Sequence, residues 1–568
     1  MSPAATQEPV GTGDGAVCPE GVVSAIEIDR RSVFDPESTG VGALAWTYRT
    51  LNVLHVRTAA SFIRRELLFS EGDCFDPFLV SESERLLDLY GFLAQARITH
   101  EDDGSGGRRV LVTTRDEWST QFDLGLTYDE GLNLEKIEVT EQNFLGQGIF
   151  AEFTHRERRE VRTQGISLAT PRFFGRTDAS IALGRTRPGT YFDQFVRYPF
   201  IGETGRFSVR QGFRRGTNFF SYSADGAGQP FNQVLVPAYR EVAELSAAQR
   251  FGEPRRAIIV GLSVTRDVVR FQGTPQVTSD FEDLQDFPGA LPSRLADQLR
   301  ESASTRVALH LGTRRYRYES YEGLDGVRER TLVGLGFYTG VTVGRGFAIL
   351  TPTGVSGTED LFGRVHADFG VSVGSSLLHG AATVESRREG GNWRDVLADA
   401  DVVAYLRSDG LEGHTLFLRA SVAGGWTSTL PYQLSLGGRE GVRALVEDRF
   451  PGGRMARFVV EDRIAFPWPR AGAADLGLTA FADLGRVWAG DVPYGVDSGW
   501  QAALGFGLRI GLPSGSRNIW RTDIAFPVGS TGGSPIFRVT FELNSLRAGF
   551  FTRDVFRSRR FDLGPEHF

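Results

Sequence analysis

Alternation of apolar and polar residues dominates the chain from Trp118 onward. It is clearest in segment 500–512, where Leu504 and Phe506 lie on one strand face and Arg509 lies on the other. The same two-residue period recurs in segments 121–128, 520–526 and 537–543. Stretches of about ten residues that are apolar on one face and polar on the other, with no convincing amphipathic helix between them, are typical of a transmembrane β-barrel.

The span from Trp118 to Leu543 contains about 426 residues. At roughly 26 residues per strand and connection, it predicts about 16 antiparallel strands, an even number as bacterial barrels require. A soluble β-sandwich or propeller is the alternative, because its strands alternate too. The strands here carry Arg, Asp and Glu on one face and bulky apolar residues on the other, and no propeller repeat is present. The pattern therefore favours a barrel over residues 117–544.

Residues 22–116 have the pattern of a compact α/β domain. Alternation within 22–34 predicts a strand, and Thr58 can cap a first helix. A turn at 72–77 precedes a second helix, and segment 96–113 contains two strands joined by a glycine-rich turn. The predicted order is strand, helix, helix, strand, strand.

The two ends of the chain differ in composition from these domains. Residues 1–21 are rich in Gly, Pro, Ala and Thr, and we expect a disordered leader. Residues 545–568 are rich in Arg and Phe and form a predicted C-terminal tail beyond the last strand. The first residues lack the charged start and apolar core of a signal peptide, so the numbering of an exported protein is expected to begin near or past a cleavage site.

Composition and charge narrow the class of protein. A chain of 568 residues is expected to hold two or more domains, and its 69 Gly and 42 Phe suit barrel strands. A formal net charge of -7 gives no basic excess of the kind that nucleic-acid binding requires. No run approaches the roughly 18 apolar residues of a membrane helix, so a membrane protein of this sequence must cross with strands.

Candidate chemistry is sparse. The eight His residues show no metal-ligand spacing, and two Cys residues cannot build a thiolate metal centre alone. Segment 370–374 matches the Gly-x-Ser-x-Gly nucleophile pattern, but it lies in a predicted strand rather than a strand-to-helix turn. We therefore predict no enzymatic activity, no metal and no cofactor.

The two cysteines, Cys18 and Cys74, leave two alternatives open. An oxidising compartment allows a disulfide, and a pair of free or buried thiols is equally compatible with the sequence. Our hypothesis is a bond that ties the leader to the turn between the two helices of the N-terminal domain.

Four segments resemble motifs of the BamA/TamA superfamily of outer-membrane assembly and translocation proteins, the bacterial surface antigen family. They are Glu141–Gly148, Leu436–Leu445, the strand with Glu461 and Arg463, and Phe481–Gly485. The resemblance implies a 16-stranded barrel preceded by POTRA domains, periplasmic units of strand-helix-helix-strand-strand order. It also implies that residues 22–116 are one such POTRA-like domain.

The resemblance implies a site inside the barrel. A long extracellular loop folds back into the lumen, and its Arg443 pairs with Asp483 on the barrel wall, while Gly485 leaves room for the loop tip. Strand phase supports an inward Asp483, because an ionised carboxylate facing lipid would be costly. The predicted site residues are the loop motif Gly437, Gly438, Gly441, Val442 and Arg443, the wall motif Phe481, Asp483 and Gly485, the lumen charges Glu461 and Arg463, and the early barrel motif Asn143, Gly146 and Gly148.

Two departures from the family pattern concern the loop tip and the C-terminus. Ala444 stands where the family has Gly, and Leu445 stands where it has an aromatic residue. Because Ala tolerates a left-handed backbone poorly, the geometry of the tip is open to difference. Family barrels end at their last strand, whereas a tail follows Leu543 here.

The function that the resemblance implies is insertion of proteins into the outer membrane or transport of polypeptides across it. Expected partners are the outer-membrane lipid bilayer, unfolded or extended polypeptides and periplasmic accessory proteins, with no nucleic acid. An extended substrate would add to an edge of the POTRA-like sheet, since backbone hydrogen bonds are sequence-tolerant. The alternative is a passive or ligand-specific pore in which the N-terminal domain is a plug.

Overall fold

The computed structural model describes residues 18–34, 50, 52–53, 55–128, 132–158, 161–279, 283–408, 410–438, 441–446, 448–468, 474–529 and 533–542. The predicted tail 545–568 and most of the predicted leader, residues 1–17, lie outside these ranges. The described part is mostly antiparallel β-sheet with few helices, which confirms the class of fold that alternation predicted. None of its helices has the length and apolar content needed to span a membrane.

The N-terminal domain has the predicted order of elements. They are β1 (Val22–Arg31), α1 (Ala60–Glu66), α2 (Pro77–Asp88), β2 (Leu93–Asp102) and β3 (Gly107–Asp116). The central strand is β3, which pairs in parallel with β1 and antiparallel with β2. Both helices pack on one face of this sheet, over a core that includes Phe62, Ile63, Leu87, Leu93, Val110 and Val112.

The first helix does not begin as predicted. Its N-cap is Ala59, which makes no side-chain capping bond, so the predicted Thr58 cap is wrong. The Thr58 hydroxyl instead accepts a hydrogen bond from the side chain of Asn143 in the barrel. The second helix is capped as helices usually are, because the Asp76 carboxylate accepts from the backbone N–H of Phe78 at 2.8 Å.

A disulfide closes the start of this domain. Cys18 and Cys74 are bonded, with their Cα atoms 5.3 Å apart, which confirms the hypothesis drawn from the sequence. Next to the bond, the backbone N–H of Val23 donates to Asp73 and that of Gly72 donates to Val23. The turn between α1 and α2 therefore lines the outer edge of β1.

The second sheet contains the remaining strands except one small pair. Its long strands are β4 (Thr120–Tyr128), β5 (Leu132–Phe144), β6 (Ile149–Arg158), β7 (Val161–Phe174), β8 (Thr177–Thr186), β9 (Thr190–Tyr198), β10 (Phe207–Ser223), β11 (Gln233–Glu253), β12 (Arg256–Phe271), β15 (Ser302–Glu322), β16 (Arg330–Phe347), β17 (Leu361–Val373), β18 (Ser376–Glu389), β19 (Asn392–Leu406), β20 (His414–Trp426), β23 (Arg454–Ala465), β24 (Asp475–Trp488), β25 (Gln501–Gly511), β26 (Ile519–Val528) and β27 (Ile536–Glu542). Short elements lie in the connections: β13 (Gln276–Thr278), β14 (Gln285–Asp286), helix α3 (Ser293–Gln298), β21 (Leu434–Ser435) and β22 (Pro451–Gly452).

These strands follow one another around a closed antiparallel barrel in which β27 and β4 are neighbours. Strand β12 pairs directly with β15, so β13 and β14 form a hairpin beyond the end of the wall. The described wall thus has twenty long strands, and the prediction of about 16 is wrong. The estimate failed because connections such as 175–176, 254–255 and 374–375 are only two residues long, so strand and connection together average about 21 residues rather than 26.

The barrel is apolar outside and polar inside. Along β25, Leu504, Phe506 and Leu508 are exposed, whereas Gln501 and Arg509 are buried. This reverses the arrangement of a soluble protein, in which bulky apolar residues are the buried ones. The outward residues instead suit an apolar surrounding.

The N-terminal domain packs against one end of the barrel, called here the near end. Arg517, in the connection between β25 and β26, donates to the backbone oxygen of Asp88 at 2.8 Å. Arg172, at the end of β7, forms a two-pronged ion pair with Glu66 of α1. Charged contacts on opposite sides of the domain therefore position it over the near end.

Two buried carboxylates lie in the interface between the N-terminal domain and the near end, which we call the joint. Glu117 accepts from the Ser516 hydroxyl and the Arg517 N–H, and its complete burial raises its pKa despite these contacts. Burial also acts to raise the pKa of Glu203, but Arg314 and hydrogen bonds from Arg255 and Tyr318 outweigh it and lower that pKa. Burying such groups without partners is costly, so the partners of Glu117 and Glu203 stabilise the contact between the N-terminal domain and the barrel.

The disulfide is expected to stabilise the N-terminal domain. Replacing both Cys18 and Cys74 by Ser frees a loop with a sequence separation of 56 residues. In the chain-entropy model this lowers the free energy of unfolding by about 3 to 5 kcal/mol. Hydrogen exchange of β1 to β3 in the full-length protein measures it, with β15 and β16 of the barrel as internal control. Unchanged exchange in β1 would contradict the prediction.

Candidate functional site

The connection between β20 and β23, described at residues 427–438, 441–446 and 448–453, folds into the barrel; we call it the inner loop. Its short strands β21 and β22 pair with each other, and its apolar residues are buried against the wall. Leu436 and Val442 are fully buried, and both belong to one core cluster with Phe481, Val487 and Ala503 of the wall. The inner loop therefore fills part of the lumen near the far end, opposite the N-terminal domain.

The predicted glycines shape the loop tip. Gly438 has a positive φ of 103°, a conformation that suits Gly. A Cβ atom on Gly437 would lie 1.8 Å from the backbone oxygen of Val446, and one on Gly441 would lie 1.9 Å from that of Leu436. The backbone segments of the tip therefore approach each other too closely for a side chain at position 437 or 441.

Gly485 provides the recess into which the loop tip fits. It lies on β24, and a Cβ atom there would come within 2.6 Å of the Leu436 side chain and 3.0 Å of the Val442 side chain. The wall glycine and the apolar residues of the tip are thus complementary in shape.

Arg443 lies at the centre of the site, and its guanidinium is held on three sides. Nε and Nη2 donate to the two carboxylate oxygens of Asp483 at 2.8 and 2.7 Å, and the backbone N–H of Arg443 adds a third bond to Asp483. Nη1 donates to Glu461 at 3.0 Å. The guanidinium carbon lies 3.4 Å from the ring centre of Phe481, so the aromatic face stacks against the cation.

Glu461 links Arg443 to two further arginines. Arg521 of β26 donates to Glu461 and to Asp523, and Arg463 of β23 donates to Glu461 at 2.9 Å. Three arginines and three carboxylates thus form one buried cluster with balanced charge; we call it the lumen ion cluster, comprising Arg443, Glu461, Arg463, Asp483, Arg521 and Asp523. Balanced, hydrogen-bonded charges are the arrangement that burial tolerates.

The cluster continues to the near end of the barrel. The turn 323–329 between β15 and β16 folds inward, and Leu324 and Glu329 are fully buried. Arg463 donates to the backbone oxygen of Leu324 at 2.6 Å and lies 3.3 Å from the Asp325 carboxylate. An unbroken chain of hydrogen bonds therefore joins the inner loop to a near-end turn.

The two loop-tip residues that depart from the family pattern are accommodated, and the other departure, the tail, lies outside the described residues. Ala444 is buried and is not among the residues with positive φ, so its side chain meets no left-handed strain. Leu445 is buried in the same core cluster as Leu436. Its backbone oxygen accepts from Arg538 of β27 at 2.9 Å, which places the loop tip against the last strand.

The early barrel motif lies elsewhere. Asn143, Gly146 and Gly148 form the near-end turn between β5 and β6, where the Asn143 side chain bonds Thr58 and the backbone N–H of Gly148. Gly146 and Gly148 have positive φ, and Cβ atoms there would collide with Arg57 and Phe62 of the N-terminal domain. This motif therefore belongs to the joint with that domain and not to the lumen ion cluster.

Sequence reasoning missed Arg521, Asp523 and Asp325 as members of this site. Arg521 and Asp523 had a signal, because both fall on the polar face of an alternating segment. Asp325 had none, since it lies in a turn. Within the described ranges, no group of three or more His, Cys, Asp or Glu is arranged to hold a metal, and segment 370–374 continues strand β17 into a two-residue turn. The arrangement holds the inner loop in the lumen through Arg443.

Neither a protein-family model nor a curated protein matches the sequence. Among solved structures, the chain is similar to BamA from Haemophilus ducreyi lacking POTRA domains 1–3, at 11% identity and a TM-score of 0.36, over 91% of this chain and 84% of that one. It is similar to CdiB from Acinetobacter baumannii at 12% identity and a TM-score of 0.39, over 92% and 74%. CdiB from Escherichia coli matches at 12% identity and a TM-score of 0.32, over 94% and 92%. Similarity at this level assigns no function.

The contact between Arg443 and Asp483 is expected to stabilise the barrel far more than a surface pair. Replacing either residue by Ala orphans a buried charge and should cost about 3 to 5 kcal/mol. The double variant should lose less than the two single losses added together. The temperature at which the folded barrel loses its anomalous gel mobility measures this double-mutant cycle.

A matched control lies on the same strand. Arg486 of β24 pairs with Asp497 at 2.9 Å, but both side chains are partly exposed. Their single Ala variants should change stability by at most about 1 kcal/mol. Strict additivity at Arg443 and Asp483, or losses no larger than those at Arg486, would contradict the prediction.

A side chain at position 485 is expected to displace the inner loop. Gly485→Val places atoms where Leu436 and Val442 pack, so it should loosen the loop without removing any charge. Gly212→Val is the control, because a Cβ atom there meets only one backbone oxygen, at 3.9 Å. Limited proteolysis of the inner loop distinguishes them, and equal protection in both variants would refute the proposed recess.

Proposed function

We propose that this protein resides in the bacterial outer membrane and inserts polypeptides into that membrane or transports them across it. The observation that carries the proposal is the inner loop, which occupies the lumen through the ion contacts of Arg443. A loop held in the lumen by ion pairs narrows the passage and adjoins the last strand, an arrangement that a passive pore does not require. The barrel, the POTRA-like domain and the inner loop would each contribute to this function.

The outward surface supports the membrane location. Along β12, outward residues from Ile258 to Val264 are apolar, and arginines stand at both limits, Arg256 at the near end and Arg266 at the far end. Ten residues of strand at about 3.3 Å each, tilted by about 40°, rise roughly 25 Å. That height equals the apolar band of a transmembrane barrel.

The N-terminal domain would be POTRA-like and periplasmic. Its sheet has two edge strands, β1 and β2, and parts of both edges are already occupied. Glu71 accepts from the Ile26 N–H of β1, and on β2 Asp88 and Glu84 accept from the N–H groups of Ala96 and Ile98. An extended substrate would therefore add at residues 99–102 of β2, past these carboxylates, where backbone pairing needs no particular sequence.

The substrate would then enter the barrel by one of two routes. It passes through the lumen beside the inner loop, or it leaves sideways between β4 and β27. The loop tip touches both the lumen ion cluster and Arg538 of β27. Release of Arg443 would consequently loosen the lumen and the last strand together.

A ligand-specific or passive pore is the second candidate. The observation that favours it is the ionic joint between the N-terminal domain and the near end, which would suit a plug. In that case the barrel conducts ions or small solutes in a bilayer, and removing the joint contacts Arg172 and Arg517 raises the conductance.

The distinguishing experiment uses the full chain in lipid vesicles. An unfolded outer-membrane barrel protein is diluted from urea into these vesicles, and its folding rate is followed by gel mobility. The wild type should accelerate folding at least tenfold over empty vesicles, and Arg443→Ala should lose most of that gain. Arg486→Ala is the control and should retain it.

Two results would overturn the assembly proposal. One is a folding rate in wild-type vesicles equal to that in empty ones, combined with no movement of a secreted substrate into their lumen. The other is a steady conductance in planar bilayers that Arg443→Ala leaves unchanged. The second result together with the first would establish the pore.

A further inference from the structure

The outward face of β8 to β12 carries a group of arginines at its far end. Arg185 follows Ile181 and Leu183 on the outward phase of β8, and Arg215 shares a face with Phe207 on β10. Arg266 and Arg270 extend the outward phase of β12 beyond Val264. We call these four residues the outer arginine patch.

Most of this patch has no carboxylate to balance it. Glu241, the acid opposite Arg215 on β11, is engaged by Arg266 and by the Tyr239 hydroxyl. Within the described ranges, Arg185, Arg215 and Arg270 form no ion pair. At this end of the barrel the four outward arginines therefore face two carboxylates, Glu241 opposite Arg215 and Glu301, which accepts from the backbone N–H of Phe271 at 3.1 Å.

The inward arginines at the same height provide a direct comparison. Arg214, next to Arg215, pairs with Asp193, and Arg240, next to Glu241, pairs with Asp267. Each of these two inward arginines therefore has a carboxylate partner, whereas three of the four outward arginines form no ion pair in the described part of the chain. An excess of cations that is confined to the outward face indicates an anionic partner outside the wall.

The patch borders a cavity rather than a flat surface. A cavity of about 450 Å³ lies between β8 and β11, lined by Arg185 and Arg215 with the polar groups of Thr190, Thr217 and Tyr239. Leu183 and Phe192 line its lower side, next to the apolar outer surface. Cations and hydroxyls stand above an apolar wall, which is the arrangement that an amphiphile with an anionic headgroup requires.

We propose that the outer arginine patch binds a phosphate-bearing glycolipid of the outer leaflet, of the lipopolysaccharide class. Arg185 and Arg215 hold its phosphates, Thr190 and Thr217 face its sugar hydroxyls, and its acyl chains lie along the apolar strands below. This inference rests on the membrane orientation proposed above, since the patch lies at the end of the barrel away from the N-terminal domain.

The test compares lipid retention by purified full-length proteins. Vesicles contain either bisphosphorylated lipid A or its dephosphorylated form, and the lipid that remains bound after detergent extraction is counted by native mass spectrometry. The triple variant R185Q/R215Q/R270Q should retain at least fivefold less phosphorylated lipid A than the wild type. Wild-type protein should retain the dephosphorylated lipid no better than the triple variant does.

Arg256→Gln is the matched control. Arg256 is an exposed outward arginine on the same strand as Arg266, but it lies at the near end. It should retain lipid A as the wild type does. The single variants R185Q and R215Q, each expected to lose part of the retention, keep the test valid if the triple variant fails to fold.

Several results would overturn the inference. They are equal retention by the wild type and the triple variant, an equal loss in Arg256→Gln, equal retention of phosphatidylglycerol and lipid A by the wild type, and full displacement of bound lipid A by millimolar inorganic phosphate. The folding assay separates this inference from the proposed function, because the triple variant should accelerate folding as the wild type does. A wild type that does not insert into vesicles refutes both, whereas one that inserts and binds lipid A without accelerating folding refutes only the assembly function.

Discussion

Charges enclosed by an apolar wall must find partners, and this constraint organises the interior of the protein. A strand that turns Phe506 and Leu508 outward must turn Arg509 inward, because side chains alternate. An enclosed guanidinium without a partner would cost several kcal/mol. The lumen charges of neighbouring strands therefore have to be matched, and Glu461, Asp483 and Asp523 together match Arg443, Arg463 and Arg521.

The same constraint explains why two connections fold inward from opposite ends. The inner loop supplies Arg443, which Asp483 and Glu461 need, and the near-end turn supplies the Leu324 oxygen and Asp325 to Arg463. They meet through Glu461 and Arg463, so movement of one connection changes the partners available to the other.

The sequence predicts local features of this arrangement better than distant ones. Strand phase turns Asp483 inward because side chains alternate with a period of two residues, and the resemblance of the loop motif names Arg443 as its partner. Asp325 is invisible to such reasoning, since the partners of its carboxylate, Tyr405 and Arg463, lie 80 and 138 residues away. The strand number was underestimated because alternation marks where strands lie but does not fix how short their connections are. Thr58 was misassigned for a related reason: a distant Asn143 competes for its hydroxyl.

The charge of the lumen ion cluster bears on the route of a substrate. If Arg443 left with the inner loop, the buried Asp483 would lose its two-pronged pair with the guanidinium and Glu461 would lose one hydrogen bond, at a cost of several kcal/mol. At the other candidate exit, between β4 and β27, neither strand contributes a residue to the lumen ion cluster. Separation there breaks backbone hydrogen bonds, each worth about 0.5 to 1.5 kcal/mol net, and leaves the cluster intact. Within the proposed function, these two costs favour sideways release beside β27 with the inner loop still in place.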